Sequence, residues 1–93
     1  LLVHVPNGQN VGSKVGARLN KMGLVKGFPD LALLAVTSKH PALFLELKST
    51  KGRLDAEQKE VHKRLLAQGY EVKTAYGFKM GIDIITNYLS GVV

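Results

Sequence analysis

Gly27-Phe28-Pro29-Asp30 and Leu45-Glu46-Leu47-Lys48 decide how this chain folds. Each run sits where an apolar segment begins or ends, and each carries ionisable side chains at that point. Charge at the rim of an apolar sheet costs stability, so it asks for a reason. The apolar segments over 30–36 and 42–48 are separated by Thr37-Ser38-Lys39-His40-Pro41, a short polar run ending in proline, and are expected to pair as an antiparallel hairpin.

Pairing Val36 with Ala42 sets Asp30 opposite Lys48 and Glu46 opposite Ala32. Side chains alternate between sheet faces, so Asp30, Glu46 and Lys48 share one face at one end of the ribbon. Asp30 and Glu46 become diagonal neighbours, with Cα atoms roughly 7–8 Å apart. A hard divalent cation with oxygen ligands at about 2.0–2.1 Å fits between such carboxylates, with water completing its shell. Lys48 stands beside it, within reach of an attacking water or a phosphate oxygen, as phosphodiester cleavage requires. Taken singly, Asp30 is equally a turn residue after proline, and Glu46 with Lys48 an exposed pair at a strand end.

Pro29-Asp30 followed sixteen residues later by Glu46-Leu47-Lys48 resembles the PD-(D/E)xK nuclease signature. The wider ordered set adds Pro6-Asn7-Gly8, Gly27-Phe28, Gly52 and Gln58, and resembles the VRR-NUC family, in particular its short, stand-alone, phage-type members. The resemblance spans nearly the whole chain. It implies a restriction-endonuclease-like α/β core, a small mixed β-sheet flanked by helices. It further implies an Mg²⁺- or Mn²⁺-dependent endonuclease acting on DNA, including branched DNA such as four-way junctions, as a homodimer. In that scheme Asp30, Glu46 and the Leu47 backbone carbonyl hold the metal, while Lys48 and Gln58 orient or activate water. Members of the family carry a helix ahead of the first strand, with a glutamate that joins the metal site. No counterpart stands before Leu1, so that ligand is expected from outside these 93 residues or from another chain.

Composition bounds the alternatives. Ninety-three residues make one domain with one core, and 45% hydrophobic content is ordinary for a folded chain. With no cysteine, disulfides and thiolate metal sites are excluded. No apolar run is long enough to cross a bilayer and no signal-peptide pattern opens the chain, so a cytoplasmic setting in a bacterial or phage-infected cell and no membrane partner are expected. The net charge of +6 and pI near 9.8 favour a polyanionic partner. A basic nucleic-acid-binding module without chemistry shares that balance and is the competing class.

In chain order, Leu1-Leu2-Val3-His4-Val5 is an apolar strand. The polar loop over 6–12 offers backbone amides and Asn7 to a phosphate, though proline, asparagine and glycine also make plain turns. A helix is expected over 13–22, capped by Ser13, with Val15, Leu19 and Met22 buried. Lys14, Arg18 and Lys21 form a basic stripe on another face, either a nucleic-acid contact or a solvated surface. Lys51 and Arg53 follow Lys48 in a loop suited to neutralising phosphate charge. The helix over 55–68 has Asp55 as N-cap, Gln58 at the capping-box position and Gly69 as its stop. Gln58 therefore has two readings, a cap folded onto Asp55 or an amide aimed at the acids. His4, His40 and His62 show no ligand spacing, and His62 reads as a helix-surface residue. A strand over 71–76 and, after Gly77-Phe78-Lys79-Met80-Gly81, a closing helix to Leu89, burying Ile82, Ile85 and Leu89, complete the chain.

Overall fold

A computed structural model of the chain describes residues 1–5 and 26–93. Strands β1 (Leu2–His4), β2 (Leu31–Leu33), β3 (Leu43–Lys48) and β4 (Glu71–Tyr76) form one sheet in that order, flanked by helices α1 (Ala56–Ala67) and α2 (Phe78–Leu89). β1 and β3 each run antiparallel to β2, whereas β4 runs parallel to β3. A parallel neighbour needs a crossover, and α1 supplies it. The result is the small mixed α/β sheet expected. The expected loop over 6–12 and helix over 13–22, with Asn7, Lys14 and Arg18, lie outside the described residues.

The hairpin forms, but two residues out of the expected register. Leu31 pairs with Leu45, Ala32 with Phe44 and Leu33 with Leu43. β2 parts from β3 after Leu33, where the Ala35 N–H donates to the Leu33 carbonyl at 3.1 Å in a tight turn, while the Leu34 N–H still donates to the Leu1 carbonyl at 2.8 Å. Beyond it, Thr37 bridges to Val92, and the Val93 N–H donates to the Val36 carbonyl at 3.1 Å. The Thr37 hydroxyl also accepts from the Lys39 and His40 amides at 3.2 and 2.9 Å. Residues assigned to the strand from apolarity alone are thus committed to a turn and to the C-terminus. Because the displacement is even, every side chain keeps its face.

Leu31, Leu33, Leu43 and Leu45 point to the α2 side. Leu33 and Leu43 are buried with Tyr88, against Ala35, Ile84 and Ile85, and the Tyr88 hydroxyl donates to the Ala35 carbonyl at 2.7 Å. Burying each of these leucines is worth about 1.5–3 kcal/mol. α2 starts at Phe78, a turn earlier than expected, since Gly77 at φ 96° lets the chain leave β4 directly into the helix. Its buried face is Gly81 and Tyr88. Ile82 and Leu89, expected inside, are 47% and 46% exposed, so the stripe is rotated from the expected one. Gly81 gives no apolar signal in a sequence, yet its Cα face is what sits close to Ala75 and Leu47.

α1 begins with a complete capping box. Asp55 Oδ1 accepts from the Gln58 N–H at 2.8 Å, and Gln58 Oε1 accepts from the Asp55 N–H at 3.0 Å. At its other end, the Tyr70 N–H donates to the Leu65 carbonyl at 3.2 Å, past Gly69 at φ 98°. The segment bearing Pro29 and Asp30 is pressed onto the first turn of α1 through Gly27. This glycine has φ 87°, and a Cβ on it would lie 2.8 Å from the Glu57 carbonyl carbon and 3.0 Å from the Gln58 nitrogen. Both neighbours are backbone and cannot give way. Gly27→Ala is therefore expected to destabilise the fold by about 2–4 kcal/mol, a positive-φ cost plus a collision. Gly69→Ala has a similar φ and open space, so it is the control that carries the φ cost alone. Equal urea midpoints for the two variants would refute the contact.

Candidate active site

β3 outruns β2 by three residues, since the last ladder pair is Leu31 with Leu45 and β3 continues to Lys48. Asp30 stands just outside β2 and, in this register, comes level with Glu46 instead of Lys48. The Leu47 N–H, which has no strand partner on that edge among the described residues, donates to Asp30 Oδ2 at 2.8 Å. A carboxylate here completes the ladder with a side chain. The N–H and C=O of one strand residue point to the same edge, so the Leu47 carbonyl faces the Asp30 side too. The Lys48 carbonyl faces the opposite edge and accepts from the Gly77 N–H at 2.9 Å.

Glu46, Lys48 and Phe44 project to the α1 side of the sheet, as alternation along β3 requires. Glu46 is 2% exposed. Burial, then a shared hydrogen bond and the charge of Asp30, push its carboxyl up to about 8, with Lys48 acting in the opposite direction. The two acids thus converge closely enough to oppose each other's ionisation.

The helix face over this pair is polar. Gln58 and His62, one turn apart on α1, are 2% and 8% exposed. His62 Nε2 lies 3.4 Å from Glu46 Oε1. The expectation that His62 is a surface residue is overturned. Burial, followed by the Lys48 charge, holds its imidazole below the ordinary histidine value. The signal was available, because positions 58, 62 and 65 follow helical spacing, but histidine scores as a surface residue in an apolarity count. Gln58 is buried on this face and takes the first of its two anticipated placements, the cap folded onto Asp55.

Lys51 and Arg53 are exposed in the loop that follows Lys48, where the Gly52 N–H donates to the Ser49 carbonyl at 3.0 Å. His40 is remote in role: its Nδ1 is 3.0 Å from the Gly69 carbonyl and its Nε2 3.5 Å from Glu71 Oε2, tying the α1 exit to the loop over 34–42. Among the described residues, no three His, Cys, Asp or Glu side chains are grouped to hold a metal ion. Two carboxyls are, with a backbone carbonyl on their edge. This donor set is all oxygen, and two acids that resist joint ionisation are relieved by a cation, so it could hold a hard dication.

The comparisons with known proteins agree with this fold. The family model for the VRR-NUC domain matches residues 8–79. A solved structure described as a VRR_NUC domain protein superposes with a TM-score of 0.84 at 25% identity, covering 98% of this chain and 69% of that one. No curated protein matches the sequence. Fold and sequence together define a small α/β nuclease-type domain. The chain belongs to the VRR-NUC family, whose members are generally nucleases. Among the described residues, no helix is long and apolar enough to cross a membrane.

Proposed function

We propose that the chain is a divalent-metal-dependent DNA endonuclease of the PD-(D/E)xK kind. The observation that carries this is the convergence of the Asp30 and Glu46 carboxyls on one edge, with Lys48 next along β3 on the same face. Asp30, Glu46 and the Leu47 carbonyl would hold Mg²⁺ or Mn²⁺. A bound dication supplies Lewis acidity, offsetting charge that gathers on the phosphate and easing deprotonation of the attacking water. Lys48 extends from the same strand face and places its ammonium where it can orient that water or neutralise a phosphate oxygen. Gln58, whose Oε1 accepts from the Asp55 N–H in the capping box, would have its amide nitrogen to offer to the water or phosphate. Asp30 is held in place by the Leu47 amide, so the site is pre-positioned before substrate arrives.

The basic loop with Lys51 and Arg53 continues from Lys48 and would track the DNA backbone, together with Asn7, Lys14 and Arg18. The chain's +6 charge suits that partner. Replacing both Lys51 and Arg53 by alanine is expected to lower the salt slope of DNA binding by up to about 0.9 per lost phosphate contact. A slope equal to that of the unaltered protein would remove this loop from the interface.

The resemblance to phage-type members favours branched DNA as substrate, a homodimer making paired nicks, and a cytoplasmic setting. A twofold pair of sites suits such nicks, and the exposed Leu1, Leu2 and Ile82 leave apolar surface for a second copy. The deciding experiment incubates linear and four-way-junction DNA with Mg²⁺, Mn²⁺ or chelator, beside a sizing measurement. Metal-dependent cutting is expected, with junctions cut in preference to linear duplex by a dimer. Retention of DNA without cutting under every condition would leave the binding-module reading in its place.

A further inference from the structure

We propose that His62 is a positioning residue of the nuclease site, fixing one oxygen of Glu46 so that the other is presented toward Asp30. This rests on the reading of Asp30 and Glu46 as ligands. The two acids are held in parallel ways. Asp30 Oδ2 accepts from the Leu47 amide at 2.8 Å, and Glu46 Oε1 lies 3.4 Å from His62 Nε2. Each carboxyl therefore has one oxygen against a protein nitrogen, and the two acids share a hydrogen bond of their own. Without its partner, the terminal torsion of a glutamate is broad and close to twofold, and the second oxygen has no fixed direction. An outer partner that orients a ligand is the usual means of fixing it.

The placement of His62 is itself fixed by neighbours of the site. α1 is anchored at its N-terminus by the Asp55–Gln58 capping box and by the close approach of Gly27 to Glu57 and Gln58. His62 lies one turn further along the same face, 8% exposed, where an imidazole without a hydrogen-bond partner would be costly. The segment carrying Asp30 thus sets the helix that steadies Glu46. A purely structural histidine would require only that the polar ring be satisfied. A positioning one requires in addition that the oxygen it leaves free be used.

The test is Mn²⁺ binding by the DNA-free protein, followed by loss of the free-ion paramagnetic resonance signal, with thermal melts in chelator to establish folding. His62→Leu removes the donor at similar bulk, His62→Asn sets it back from Glu46, and His62→Gln keeps an N–H at comparable reach. Mn²⁺ affinity is expected to fall about 10–100-fold in the first two and to stay within about threefold of the unaltered protein in the third. The DNA concentration dependence should remain unchanged in all three, with the metal dependence of cutting shifted in the first two. Affinity in the cooperatively melting Leu or Asn variant equal to the unaltered protein would overturn the proposal, as would a Gln variant no better than these. Failure of the unaltered protein itself to bind Mn²⁺ would remove the metal-site reading and the proposal with it, a result distinct from those that strike His62 alone.

Discussion

Asp30→Asn is expected to abolish DNA cleavage while leaving the protein folded and still bound to DNA. The asparagine is nearly isosteric, and its Oδ1 can accept from the Leu47 N–H as Asp30 Oδ2 does at 2.8 Å. The sheet edge is therefore kept, and what is lost is one of the two negative charges that would hold the dication. Lewis-acid stabilisation is worth several kcal/mol, and each roughly 1.4 kcal/mol is a decade in rate, so a fall of about 10³-fold or more is expected. Glu46→Ala and Lys48→Ala should fall comparably for their own reasons, the first by deleting the second acid and the second by removing the cation beside the reacting phosphate. The measurement is single-turnover cleavage at saturating enzyme, run beside a gel-shift titration. Near-normal rates in all three variants would show that the chemistry lies elsewhere.

Glu46→Gln is expected to make the metal-free protein markedly more stable at pH 8.5 and no more stable near pH 5. The folded protein holds the Glu46 proton up to about pH 8, against 4.5 for an ordinary glutamate, because the carboxyl is buried beside Asp30. A raised acid favours the folded state fully below the ordinary value, and that contribution drains away as pH climbs through the folded one. Between those limits the loss is on the order of 4 kcal/mol. Glutamine stays neutral throughout and can donate to the Asp30 carboxylate, so it escapes the loss. For a domain of this size a gap of that order shifts the melting temperature by more than about 10 °C. His62 works in the other direction, since its lowered value withdraws stability as pH falls below 6.5, but both proteins share that effect and it cancels in the comparison. Melting curves in chelator at pH 5, 7 and 8.5 check it. Parallel profiles for the two proteins would show that Glu46 ionises freely in the fold.

The parts of this molecule that were legible in the sequence are those written locally. Asp55, Gln58 and Gly69 mark α1 at both ends, and β4 occupies the expected span over 71–76. The shared face of Asp30 and Glu46 was legible too, because strand alternation survives an even displacement of register. The register itself was not, since it depends on Val36 and Thr37 joining the C-terminal residues Val92 and Val93, a contact no local pattern announces. The buried side of α2 was hidden for a different reason. Gly81, which carries no side chain, lies against Ala75 and Leu47, and the deepest side chain of the helix is Tyr88, whose hydroxyl reaches back to Ala35. His62 went unread because a helix face packed onto carboxylates is itself polar.

The overhang of β3 beyond β2 has a bearing on how the protein behaves in solution. Among the described residues, 46–48 present a stretch of strand edge that a neighbouring molecule could extend, the usual route to unwanted ribbon growth. Asp30 occupies the first bonding position on that edge, and Lys48 sets a charge beside it. The same groups that would gather a cation and a phosphate thereby guard the margin of the sheet against its own copies.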